Sequence, residues 1–216
     1  MTGKFTVNKT VSAVVNLSAV AAETVVAVAV LWNEGLSAFE SFTNDSAFFT
    51  LIACLVMGIA QIISLVNMIE IPKWVKALKY TSLCFLTLTA AGWAVHAVLN
   101  LTAGNFDAVN ISVLSVIQNA VCPVLCLVSF LFFERRPKIK RPVVLLGIVP
   151  AFIYAAVTVT LNVLGKMPWP YPFSAPTQSP IYISAAWFGG IFGAALVIGL
   201  VIWKLDFGRK PEKIGS

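Results

Sequence analysis

Charge is what this chain has least of. Of its 216 residues, only 11% are Asp, Glu, Lys or Arg, and 59% are hydrophobic. A soluble domain carries roughly a quarter charged residues, so a water-soluble globule is excluded. Histidine occurs once, as His96, and cysteine four times. No phosphate-cradling glycine loop, GxSxG elbow or HExxH run is present, and the enzyme classes that depend on them drop out. No two carboxylates share a helix face inside an apolar run, which removes acid–base chemistry by a carboxylate pair. Cys54, Cys84, Cys122 and Cys126 all fall in apolar runs and read as small buried hydrophobes. Cys122 and Cys126 share a helix face, yet no third or fourth ligand accompanies them. Neither a metal site nor another cofactor is expected.

What is present is a series of long apolar runs, near residues 11–32, 47–69, 80–101, 110–133, 142–164 and 181–203. A hydrocarbon layer of about 30 Å needs roughly 20 apolar residues per helix. The connections are too short for a soluble domain. The expectation is an all-α polytopic integral membrane protein, one bundle of six transmembrane helices over residues 1–216. The first run continues past Glu23 to Trp32, longer than a signal-peptide core, so an uncleaved helix is expected.

The net charge of +6 invites a nucleic-acid partner, but its distribution argues against one. Of the 15 Lys and Arg residues, only Lys166 falls on one side of the alternation that the runs create. By the positive-inside pattern, both termini lie in the cytoplasm. Arg135, Arg136, Lys138, Lys140 and Arg141 read as a cluster set against anionic lipid head groups.

Punctuation refines the helices. Asn44 or Ser46 suits an N-cap for the second, and Ser179 before Pro180 suits the sixth. Pro123 and Pro150 lie inside spans, remove the bonds to the carbonyls of Asn119 and Leu146, and predict kinks. Gly189 and Gly193 are four apart, a spacing that reads as close packing within the bundle rather than dimerisation. Residues 165–180 carry five prolines interleaved with Trp169, Tyr171 and Phe173, an interfacial belt or a lid over a cavity.

Ionisable groups at membrane depth are costly and usually functional. Glu23 and His96 are the clear cases, with the amides Asn16, Gln61, Gln118, Asn119 and Asn162 beside them. At about 1.5 Å per residue, Glu23 lies roughly 13 Å, His96 roughly 8 Å and Gln118 roughly 12 Å from their outer helix ends. Glu23, Gln118, Asn119 and Tyr171 are therefore pocket candidates. The other reading is that each polar group bonds a neighbouring carbonyl and glues helices together.

Three segments carry a resemblance. Residues 39–50 (FESFTNDSAFFT), 116–134 (VIQNAVCPVLCLVSFLFFE) and 161–176 (LNVLGKMPWPYPFSAP) resemble parts of the six-helix androgen-induced membrane protein family and its bacterial relatives. Their order and spacing fit nearly the whole chain. The resemblance implies a cell-membrane location, in a bacterium, and membrane lipids as partners. It also implies an intramembrane hydrolase of fatty-acyl esters, with Thr43 at the position of the threonine nucleophile. The position of that family's histidine is Gln118 here. Glutamine is no general base at neutral pH, and a threonine hydroxyl needs one. His96 is the candidate replacement, with Glu23 as base or orienting group. The alternatives are a lipid-binding or scaffold protein without hydrolysis, and a small-solute or proton-coupled transporter using Glu23 and His96.

Overall fold

The computed structural model describes residues 2–67, 69–102, 112–134, 139–166 and 181–207. All regular structure among them is helical, and six helices are long and apolar enough to cross a membrane. Helix α1 spans Thr2–Glu34 and runs into a 3-10 segment, Gly35–Glu40. Helices α2 and α3 cover Phe42–Asn67 and Lys73–Thr102. Helix α4 is Val113–Phe133. Helix α5 starts as 3-10 over Arg141–Ile148 and continues as α over Val149–Val163. Helix α6 is Ile181–Phe207.

Helix α3 is the central post, packed against α2, α4, α5 and α6. Its residues Tyr80, Leu83, Cys84 and Leu86 form the main apolar core with Ala19, Cys54, Cys126, Phe130 and Ile202. Helix α1 packs mainly on α2. There Gly58 lets the helices close, because a Cβ would stand 3.2 Å from Leu17 Cδ2.

The bundle is built inside out. Along α1 the buried stripe is Lys9, Ser12, Asn16, Ala19, Glu23 and Val26, spaced at three and four residues. Val14, Val25 and Val28 face outward. A soluble helix shows the reverse arrangement.

Several expectations need correction. The third helix begins at Lys73, not at Tyr80, so Lys73, Lys76 and Lys79 are helical rather than loop residues. Pro72 immediately precedes that helix, and its carbonyl accepts the Val75 N–H at 3.1 Å. The second helix begins at Phe42, so neither Asn44 nor Ser46 is its N-cap. Both side chains turn inward to partners on other segments instead.

Near Pro123 the helix widens rather than simply kinking. Ile117–Val121 is π-helical, and the Cys122 N–H reaches back to the Ile117 carbonyl. Near Pro150 it tightens. The Leu146 carbonyl that Pro150 cannot serve accepts the Val149 N–H in the 3-10 segment. Among the described residues, the glycine spacing in α6 forms no packing seam. A Cβ on Gly189 or Gly193 would meet no described atom within 4 Å. The buried stripe of α6 is Ala195, Gly199, Ile202 and Asp206. Gly199 is where α6 meets α3, for Tyr80 Oη donates to its carbonyl at 2.8 Å. Ser179, Pro180 and the rest of residues 167–180 lie outside the described residues.

Candidate functional site

Polar side chains fill the interior in three groups. At the Lys9 end of the bundle, the Lys9 ammonium donates to Ser64 Oγ at 2.5 Å and to the carbonyls of Ser64 and Ile69 at 3.3 and 3.4 Å. Further along α1, Asn16 Nδ2 donates to Ser129 Oγ at 3.0 Å and Glu134 Oε1 at 2.8 Å. Ser129 Oγ donates to the same carboxylate oxygen at 2.6 Å. The π turn Ser129–Phe133 makes this possible, because its extra residue folds Glu134 back over Ser129. Gln61 joins from α2, donating to Ser12 Oγ at 3.1 Å. Beside this group the Lys76 ammonium pairs with Asp206 Oδ1 at 2.8 Å, both groups buried. Lys76 also lies over the Phe130 ring, 5.1 Å from its centroid.

The second group sits mid-bundle. Lys79 is 0% exposed. The only hydrogen bond of its ammonium among the described residues goes to Cys54 Sγ, at 2.6 Å. Cys54 Sγ in turn lies 3.5 Å from Cys126 Sγ. Glu23 is 1% exposed and stands beside Cys122, within electrostatic reach of Cys54 and Lys79. Glu23 and Cys122 miss hydrogen-bonding geometry, and neither Glu23 oxygen has a hydrogen-bond partner among the described residues. Four helices contribute one residue or more to this centre.

The third group lies where α2 begins. Gln118 Nε2 donates to Asn44 Oδ1 at 3.1 Å. Asn44 Nδ2 donates to the Ala38 carbonyl at 3.2 Å and reaches Glu34 Oε2 at 3.4 Å. One turn deeper, Ser46 and Thr89 hydroxyls pair at 3.0 Å, and Thr50 Oγ1 donates to the Ser46 carbonyl at 2.7 Å. Around this end, Trp32 and Leu36 are 88% and 86% exposed. Phe39 packs on Phe48 with ring centroids 4.8 Å apart.

The sequence candidates therefore fall in different places. Gln118 is buried and bonded to the residue next to Thr43. Thr43 is in the first turn of α2, and its side chain lies outside the described residues, as does Tyr171. Asn119 is buried, but its amide bonds locally to the Ser115 carbonyl at 3.0 Å. Glu23 is buried in the mid-bundle centre, whereas His96 is on the exposed surface of α3.

Lys76, Lys79, Glu134 and Asp206 are interior residues that lie just beyond the apolar runs 80–101, 110–133 and 181–203. A signal did exist. Buried positions Val75, Lys76, Lys79, Tyr80 and Leu83 continue one helical stripe back through the lysines. Glu134 and Asp206 are lone acids within basic stretches, a pattern that fits an acid held by a lysine or an amide inside the bundle. Comparison with family models, with curated proteins and with solved structures gives no match.

Proposed function

We propose that this chain is an integral protein of a bacterial cell membrane, with both termini cytoplasmic, that binds a fatty-acyl ester lipid where Asn44 meets Gln118. The observation that carries this reading is the Gln118–Asn44 hydrogen bond. It joins the start of α2 to α4, which hold two of the three segments that carry the resemblance to the androgen-induced family. It also sets the Gln118 amide beside the backbone neighbour of Thr43.

The chemistry of that pair favours binding over hydrolysis. Amides donate and accept hydrogen bonds but take up no proton at neutral pH. They suit an ester carbonyl as ligand, and they leave Thr43 without a base from Gln118. The exposed Trp32, Leu36 and Phe39 supply apolar surface for an acyl chain at the same end.

Support for insertion comes from the outward valines and leucines against an inward polar stripe. Support for orientation comes from the cations. Even with Lys9, Lys76 and Lys79 set aside as interior groups, the remaining cations other than Lys166 all fall on one side.

Binding of a fluorescent fatty-acyl ester to the full chain in lipid nanodiscs tests this reading. Asn44→Leu and Gln118→Leu are expected to weaken binding by roughly tenfold, or about 1.4 kcal/mol. Undiminished binding in both variants removes the site. Cleavage of the ester that vanishes in Thr43→Ala replaces binding by hydrolysis.

Glu23 favours a second reading, in which the bundle carries protons with a small solute. A carboxyl held inside a membrane bundle without a hydrogen-bond partner is a proton-relay candidate by default. That reading predicts solute uptake driven by a proton gradient and abolished in Glu23→Gln. Gradient-independent uptake, or none across a solute panel, counts against it.

A further inference from the structure

Lys79 poses a charge problem that the lipid reading does not use. An ammonium with no exposure needs an anion against it, because an uncompensated buried charge is strongly destabilising. Asp206 serves Lys76 in this way. Lys79 has Glu134 and Glu23 within electrostatic reach but hydrogen-bonds neither; its contact is a sulfur, Cys54 Sγ at 2.6 Å. The ammonium thus supplies positive charge directly against that thiol. On the far side of the same sulfur stands Cys126, at 3.5 Å. Of the four cysteines these are the two in sulfur–sulfur contact. Cys84 lies instead against Gly147, where its sulfur would be 3.1 Å from an added Cβ. Cys122 lies beside Glu23.

A thiol set against a cation, with a second thiol at contact distance, has the parts of an oxidisable dithiol. A disulfide bond is about 2.05 Å long, so the sulfurs need to close by about 1.5 Å. Cys54 is on α2 and Cys126 on α4, so the bridge would link two helices. Both sulfurs are buried, which restricts the oxidant to a small neutral molecule that crosses apolar layers.

We propose that Cys54 and Cys126 form an intramembrane dithiol site that hydrogen peroxide converts to a disulfide, with Lys79 as its charge and proton partner. The Cys54 sulfur, as thiolate, attacks one peroxide oxygen. The O–O bond breaks, and the departing hydroxide takes a proton from the Lys79 ammonium and leaves as water. Cys54 is then a sulfenic acid. The Lys79 amine accepts the Cys126 thiol proton, and the Cys126 sulfur attacks the Cys54 sulfur. The S–O bond breaks, and the second hydroxide leaves as water with a proton from Lys79. In sum, two cysteine sulfurs lose two electrons, one peroxide gains them, and two waters form. Lys79 ends as a neutral amine, which removes the buried cation together with its anion.

The test uses the full chain reconstituted in phosphatidylcholine–phosphatidylglycerol vesicles and treated with hydrogen peroxide. Samples are denatured with an alkylating agent, and disulfide peptides are identified by mass. The expected product is the Cys54–Cys126 disulfide, formed at least about tenfold faster than any bridge to Cys84 or Cys122. In Cys126→Ser, a sulfenic acid is expected to be trapped on Cys54 by dimedone. Lys79→Met is expected to slow the reaction by about tenfold or more, and Lys79→Arg to fall between Met and the wild type, because it keeps the charge but passes no proton. Two results overturn the proposal in the wild-type chain alone, whether or not the Lys79 variants fold. One is that Cys54 and Cys126 stay alkylatable after peroxide. The other is that Cys84 and Cys122 oxidise at the same rate.

Discussion

A single buried ion pair shows how much this bundle depends on individual residues. Lys76 and Asp206 are both almost completely enclosed, with 2.8 Å between Nζ and Oδ1. The other carboxylate oxygen, Oδ2, accepts the Ile139 N–H at 3.5 Å, and Trp203 Nε1 donates to the Ile139 carbonyl at 3.2 Å. One pair therefore ties α3, α6 and the approach to α5 together. Removing only the acid, as in Asp206→Leu, is expected to cost about 3–5 kcal/mol, because the ammonium stays behind in an apolar setting. The double variant Lys76→Met/Asp206→Leu is expected to recover most of that loss. Thermal unfolding in detergent measures both. A double variant as unstable as the single one would show that the pair is not the source of the effect.

Hydropathy alone misplaces residues of this kind. A window scan sees Lys76 and Lys79 as the charged margin of a span and assigns them to water. The structure instead carries the helix back to Lys73 and rotates these side chains inward. What decides their position is a partner some 130 residues away, Asp206 for Lys76, and a cysteine on the neighbouring helix for Lys79. Local composition marks Asp206 as an acid among basic residues, but it does not say which lysine it holds. Glu23 and Gln118 are different. Each is a polar residue deep inside an apolar run, so its burial could be read directly.

At the scale of the element, the helices divide into those whose seams the sequence spells out and one whose seam it disguises. Gly189 and Gly193 in α6 have the familiar close-packing spacing, but an added Cβ at either meets no described atom within 4 Å. Gly199, four residues after Ala195 on the same buried stripe, sits under Tyr80. A Cβ there would lie 3.0 Å from Tyr80 Oη. Gly193→Ala is expected to be neutral or to stabilise the helix by up to about 1 kcal/mol. Gly199→Ala is expected to cost about 1–3 kcal/mol through overpacking and displacement of the tyrosine. Equal unfolding temperatures for the two variants would refute this assignment of the seam.

The number of spans and their approximate positions were legible because hydrocarbon thickness fixes length. The local departures were not. The first π turn of α4 stands just before Pro123, and the 3-10 start of α5 just before Pro150. The sequence marks a proline but not whether the helix around it will widen or tighten. Gly165 at the end of α5 is a case that local chemistry does specify. Its φ is 65°, and the Lys166 N–H closes back on the Leu161 carbonyl at 2.9 Å, a glycine-dependent helix stop.

At the scale of the whole molecule, polar interior and apolar exterior form one design. Lys9, Asn16, Glu23 and Gln61 are buried, while Val28, Ile52, Val124, Phe152 and Val201 are exposed. In water that surface would aggregate; against lipid it is the natural exterior. The proposed orientation rests on the cations that the interior has not claimed. In intact cells, Lys166→Cys is expected to react with a membrane-impermeant maleimide, and Lys204→Cys only after permeabilisation. The opposite pattern would invert the topology.

The proposed site is one place, the meeting of Asn44 and Gln118 at the start of α2. A photoreactive fatty-acyl ester, activated in membranes that contain the full chain and mapped by mass, reads that place directly. Crosslinks on the first turns of α2 and the facing part of α4, lost in Gln118→Leu, are the predicted result. Crosslinks spread along the lipid-facing sides of α5 and α6, and indifferent to Gln118, would contradict it.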